Sequence, residues 1–194
     1  MGATEYASGL RGRKKTRTRD TIRRATVRLI ATNGFDHTTV EQIADASDIA
    51  PSTFFRYFPN KEAAVIADDL EQVALAALAA QPRELSSLQA FRRAMEITAA
   101  TVSTDGWEFE RMRQRIVFSI PQLTAAQFDA YRRQIGKLAE AENRRLGRHL
   151  DDLDARIFYG ALAGALMAVI DGVQGRVQTH ILRALDFIEA GMPL

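Results

Sequence analysis

Apolar positions recur every three or four residues along most of the chain, and nowhere do they alternate with polar ones for the length of a strand. That spacing predicts an all-α protein. A first helix is expected from Thr18, as its N-cap, to about Thr32, with Ile22, Ala25, Leu29 and Ile30 as the buried stripe. Asn33-Gly34 suits the left-handed backbone that ends it. Two short helices follow. Thr39 with Gln42 makes a capping-box pattern, and Val40, Ile43 and Ala44 share one face. Ser47-Asp48 ends that helix, and Pro51 opens the next, where a missing N–H costs nothing. Phe54 and Phe58, four apart, turn inward; Pro59 closes the element. Asn60 caps a long helix expected to run to about Ala80, since no Gly or Pro interrupts it before Pro82. Five more are expected at about 84–104, 107–119, 123–147, 151–173 and 176–190, punctuated by Asp105-Gly106, Pro121, Gly147 and the Gly172 to Gly175 stretch.

Helix, short turn, helix across Thr38 to Lys61 is the layout of a helix-turn-helix DNA reader. The inward phenylalanines leave Ser52, Thr53, Phe55 and Arg56 to face elsewhere. The run T-V-x-x-I-A-x-A from Thr39, then T-F-F-R-Y-F-P-N-K-E from Thr53, together with TRDTIRRATVRLIATNGF upstream, resembles the N-terminal domain of the TetR family of transcriptional regulators. About 50 residues carry the resemblance. Two positions depart from it: Asp48 stands where the family usually has a turn glycine, and Ala50 where a Ser or Thr often caps the recognition helix. The resemblance implies a DNA-binding domain at 16–62, with its helix-turn-helix at about 39–58. A long helix would join it to a C-terminal ligand-binding and dimerisation domain at 63–194. It also implies that Pro51, Ser52, Thr53 and Phe55 meet base edges or adjacent phosphates, with Tyr57 and Lys61 on phosphates. Phe55, lacking a hydroxyl, suits a thymine methyl. Arg56 suits guanine or phosphate, and Thr39, at a helix N-terminus, a phosphate.

Charge sharpens the DNA expectation. Residues 1–62 carry 11 Lys/Arg against 7 Asp/Glu, whereas 63–194 carry 15 against 17. Residues 1–15, with Gly2, Gly9 and Gly12 among polar residues, are expected to form a flexible basic arm. Arg11, Arg13, Lys14, Lys15 and Arg17 would then follow phosphates or enter a minor groove.

The remaining two thirds is read from helical pattern and from what the resemblance implies. Phe158 to Ile170 is apolar for 13 residues, too short to span a bilayer, and the basic N-terminus is not followed by an apolar run. A cytoplasmic protein without a membrane partner is the expectation. Small residues in this run permit close helix approach, so Gly160, Gly164 and Ala168, with Val177, Ile181 and Leu185 on the last helix, are the candidate homodimer interface. The family resemblance implies a pocket for a small apolar or aromatic effector; Phe91, Met95, Trp107, Met112, Ile116, Phe128, Tyr131 and Phe158 are its candidate lining. Trp107 and Tyr131 lead, because each joins a large apolar body to a polar tip.

Enzyme chemistry finds no foothold. The chain has no cysteine, and His37, His149 and His180 are scattered without metal-ligand spacing. It carries no nucleophile-elbow, Walker or dinucleotide glycine signature. Asp151, Asp152 and Asp154 fit carboxylates at a helix start, and Glu108, Glu110, Arg111, Arg113 and Arg115 a solvated face. No cofactor or metal is expected. The expected partners are palindromic double-stranded operator DNA, a second copy of the chain and a small effector. Two rival classes stay open at this point: a non-specific architectural DNA binder, and a helical ligand carrier with a vestigial DNA motif.

Overall fold

The computed structural model describes residues 3–147, 152–170 and 177–193, and among these it is all-helical, with no strand. The order is α1 (Ala3–Asn33), α2 (Val40–Ala46), α3 (Pro51–Tyr57), α4 (Lys61–Ile66), α5 (Glu71–Ala79), α6 (Ser87–Ala100), α7 (Thr104–Ser119), α8 (Pro121–Leu146), α9 (Asp152–Ile170) and α10 (Val177–Glu189).

The short head helices are fixed by local chemistry. Thr39 accepts from the Gln42 N–H while the Gln42 side chain accepts from the Thr39 N–H, so the capping box is complete. Asp48 takes φ 52°, the left-handed turn that its short side chain tolerates. Gly34 does the same at φ 85° beyond α1. Ala50 makes no side-chain cap, and Pro51 at the first turn of α3 removes one donor that would have needed it. Asn60 caps α4 by accepting from Ala63 N–H at 2.8 Å.

Two elements differ from the sequence reading. The helix expected from Thr18 begins at Ala3, so residues 3–15 continue α1 instead of forming a loose arm. Gly9 and Gly12 each cost a helix roughly 1 kcal/mol, which does not halt one already nucleated downstream. The Thr18 hydroxyl, read as a cap, donates back to the Lys14 carbonyl at 3.0 Å. The long helix from Asn60 is two helices. Ala67 leaves helical backbone at ψ 129°, and the Asp68 carboxylate accepts from the Leu70 N–H at 2.9 Å. That local bond offers the backbone an alternative to the helix.

Three cores position everything else. Ile22, Ile43, Phe54, Phe58 and Ala64 form the head core. Val27, Ile30, Phe35, Val65 and Ile66 pack with Phe109, Ile116, Val117 and Leu123, which seats the head on α7 and α8. Leu78, Phe91, Ala94, Leu138, Tyr159, Leu162 and Leu185 form the body core between α5, α6, α8, α9 and α10. Beneath it, Glu142 and Arg145 make a fully buried two-bond pair at 2.6 and 2.8 Å, and Arg145 also donates to the Pro82 carbonyl at 2.7 Å.

Candidate DNA-reading face and interior cavity

On α3 the side chains divide as helical geometry requires. Phe54 is fully buried, its ring meeting Phe55 edge-on at 5.5 Å and Phe58 at 6.0 Å. Pro51, Ser52 and Arg56 are exposed, Thr53 and Tyr57 are half-buried, and Phe55 is 56% exposed. Its ring edge meets Phe54, but more than half of Phe55 stays open, so an apolar face is available to a partner. Arg56 lies 5.5 Å from the Tyr57 ring. Thr39 is exposed at the start of α2.

Lys61, expected on a phosphate, is half-buried and has partners within the head. Its ammonium donates to the carbonyls of Phe35 and Thr38 and lies 4.1 Å from the Phe35 ring. Its work here is to tie the loop after α1 to α4. Lys14, Lys15 and Arg17 stand exposed on α1, carried by a rod and not by a mobile arm. The side chains of Arg11 and Arg13 lie outside the described residues.

Between head and body lies a cavity of about 810 Å³. Phe91, Met95, Trp107 and Tyr131 line it, as do Leu162, Leu166 and Met167 of α9 and Tyr57, Phe58 and Pro59 at the end of α3. The other four candidates do not. Met112 and Ile116 pack into the core under the head, Phe158 packs against the body core with its ring 5.0 Å from Tyr159, and Phe128 is 48% exposed. Helix phase explains the losses: on α8 it is Gln127, Ala130, Tyr131, Gln134 and Leu138 that face the hollow. Phe128 falls on the other side.

The cavity wall holds charges that the sequence reading placed in solvent. Arg113 is 5% exposed, bonds Glu110 at 2.7 Å and donates to the Val65 carbonyl at 3.3 Å. Glu110 also takes Arg23 of α1 at 3.1 Å. Arg23 and Arg19 both bond Asp69, at 2.9 and 2.7 Å. Thus the α4–α5 junction is bolted to α1 on one side, while Asp68, its other carboxylate, lines the cavity. Asp68 is exposed on that wall, and desolvation there pushes its carboxyl above the usual range. Burial likewise raises the Tyr131 phenol. Trp107 Nε1 and Gln114 Oε1 are buried without a hydrogen-bond partner.

The dimer candidates separate in the same way. Gly164 and Ala168 are exposed on α9 and Gly160 is partly so, continuing a stripe with Ala161, Ile157 (61% exposed) and Leu153 (64%). A Cβ at Gly160 or Gly164 would meet nothing within 4 Å, so neither glycine serves packing inside the subunit. Leu185, by contrast, is fully buried in the body core and Ile181 lines the cavity; neither lies on an outer face, which corrects their placement in the interface. Val177 opens α10, but its side chain lies outside the described residues. Among those residues, no group of His, Asp or Glu is arranged to hold a metal, and no helix is long and apolar enough to cross a membrane.

A helix-turn-helix head seated on an all-helical body defines a helix-turn-helix transcriptional regulator, and comparison with known proteins fixes which kind. The chain belongs to the TetR family: the family described as bacterial regulatory proteins, tetR family, matches residues 22–67, and the MftR C-terminal domain matches 85–193. The HTH-type transcriptional regulator TcmR of Streptomyces glaucescens is 34% identical over 157 residues, covering 77% of this chain and 70% of that protein. Among solved structures, the SmeT–triclosan complex superposes with TM-score 0.59 at 19% identity, covering 90% of each chain. SmeT itself, the repressor of the Stenotrophomonas maltophilia multidrug efflux pump SmeDEF, gives 0.57 at 19% identity over 89% of each. Thermus thermophilus FadR, a TetR-family repressor in complex with lauroyl-CoA, gives 0.52 at 22% identity, over 91% of this chain and 95% of that one. At these identities the structural likeness is one of fold.

Proposed function

We propose that this regulator is a homodimeric repressor that binds a palindromic operator and leaves it when a small apolar or aromatic effector enters the cavity. The observation that carries this reading is the pairing, in one chain, of an exposed reading surface on α3 with a hollow whose wall includes the end of that same helix. Ser52, Thr53 and Phe55 would meet base edges in a major groove, with Pro51, Arg56, Tyr57 and Thr39 against neighbouring phosphates. Lys14, Lys15 and Arg17 would add sequence-independent phosphate contacts from α1. The exposed stripe on α9 supports pairing of two copies, placing their α3 helices about 34–36 Å apart, one turn of DNA.

Control follows from the junction. Because α4 and α5 are separate, no single rod carries a tilt from cavity to head. The route instead is the 67–70 segment: a ligand displacing Asp68 also shifts Asp69, and with it Arg19 and Arg23 of α1. The effector acts only as far as it prefers the released form, so loosening the operator 100-fold needs a preference of about 100-fold. The test is operator binding by fluorescence anisotropy against random competitor DNA at physiological salt. A specific repressor favours its site by about 10³-fold or more. Equal affinity for random DNA supports an architectural binder instead, and no binding at all supports a ligand carrier.

A further inference from the structure

We propose that Arg23 is the positioning residue through which the cavity and the DNA-reading head sense each other. This deepens the effector reading above and rests on it, adding to the junction route a second one along α7. Arg23 of α1 is 4% exposed and stands outside the cavity wall. One arm of its guanidinium takes Asp69 at the α4–α5 junction at 2.9 Å, and the other takes Glu110 of α7 at 3.1 Å. Glu110 belongs to the wall, and its second oxygen accepts from Arg113 at 2.7 Å. Arg113 in turn donates to the Val65 carbonyl of α4 at 3.3 Å and to the Gln127 side chain of α8 at 3.4 Å. Arg113 and Gln127 also line the cavity. Four helices and the junction thus meet in one chain of bonds that begins on the cavity wall and ends on α1.

Neutralising the two carboxylates does not require Arg23. Asp69 keeps Arg19 at 2.7 Å and Glu110 keeps Arg113, so each has another arginine. What Arg23 alone supplies is the fork, a rigid planar group that holds carboxylates from two separate elements at once. Its Nε is already buried without a partner, and the Phe109 ring lies 5.3 Å away. A guanidinium pulled off either carboxylate would be a buried charge left half-paired, which is costly. The bridge is therefore either whole or broken, and a discrete two-state element of this kind is what coupling between sites needs. Beyond it, an open groove of about 700 Å³ between α1 and the α6–α7 turn, lined by Arg17, Asp20, Thr101 and Ser103 among others, leaves α1 room to tilt when the bridge parts.

Coupling is reciprocal, so an operator held by the head is felt at the cavity wall with no effector present. The test is hydrogen–deuterium exchange of the full chain, free and at saturating operator, the operator being selected by this protein from random duplexes. In the parent chain the operator is expected to slow exchange over 67–70 and 107–113 about fivefold or more, and to leave α10, which lies off the chain of bonds, unchanged. Emission from Trp107, the chain's single tryptophan, three residues ahead of Glu110, should shift alongside. Arg23→Met leaves both carboxylates paired and is expected to fold, to bind operator within about tenfold of the parent, and yet to lose that protection. Arg23→Lys, which keeps the buried charge without the fork, is expected to lose it too. The proposal is overturned if either variant, saturated with operator, slows exchange at 107–113 as the parent does, or if the parent itself shows no slowing there; in both cases specific operator binding stands. Should the parent select no duplex over random DNA, the repressor reading itself fails, and the role of Arg23 with it.

Discussion

The head and the body use the same helices to opposite ends. In the head, Ile22 of α1 packs with Ile43, Phe54 and Phe58 into a buried core of its own, because a surface that reads DNA must hold its shape. In the body, α5 to α10 stand around a hollow and leave Trp107 Nε1 and Gln114 Oε1 unpartnered beside it. Stability is concentrated where geometry must be constant, and given up where something is to be bound.

Substitutions can break that contrast. Phe54→Ala, in the filled head, is expected to cost about 3–5 kcal/mol in urea unfolding and to abolish DNA binding. Met95→Ala, on the half-buried cavity wall, is expected to cost only about 1 kcal/mol. Arg145→Met is expected to cost about 3–5 kcal/mol, since it strands Glu142, whose side chain is wholly buried. Burial pushes the Glu142 carboxyl up, but its bonds from Arg145 outweigh this and hold it below the ordinary range. With the folded value depressed, the pair's stabilisation is present above about pH 4.3, the ordinary glutamate value, and is lost as pH falls through the folded value. An acid titration of stability by circular dichroism should show that limb in the parent chain and not in Arg145→Met.

Phe55→Ala separates reading from folding. It is expected to weaken operator binding by about 1–3 kcal/mol in anisotropy while leaving unfolding within about 0.5 kcal/mol, because the ring is exposed. The smallest effect is expected at Asp68. Its raised carboxyl means that ionisation opposes folding at neutral pH, so Asp68→Asn should raise the melting temperature of the ligand-free protein slightly. That gain should vanish once acid protonates the parent carboxyl.

The same contrast governs what the sequence makes legible. Head features are local: the Thr39–Gln42 box, the left-handed Asp48 and the inward Phe54 and Phe58 each depend on neighbours within a few positions. The cavity is assembled from nine helices, all but α2, and the turn ahead of α5, and apolar spacing alone does not say which stripe of a helix faces a hollow and which a core. Hence Phe91, Met95, Trp107 and Tyr131 line it, while Met112, Ile116, Phe128 and Phe158 do not. Glu110 and Arg113 resembled a solvated face because their partners Arg23 and Val65 are distant in the chain. The break before α5 did leave a signal: two adjacent aspartates, weak helix formers that bond nearby backbone, in a run free of Gly and Pro.

The central claim is that filling the hollow releases the head from DNA. The direct measurement follows Trp107 emission and the anisotropy of a labelled operator, selected by this protein from random duplexes, in one titration with a cavity-binding probe. Operator release that tracks Trp107 occupancy is the predicted result; saturation of Trp107 with the operator still bound at unchanged affinity would contradict it.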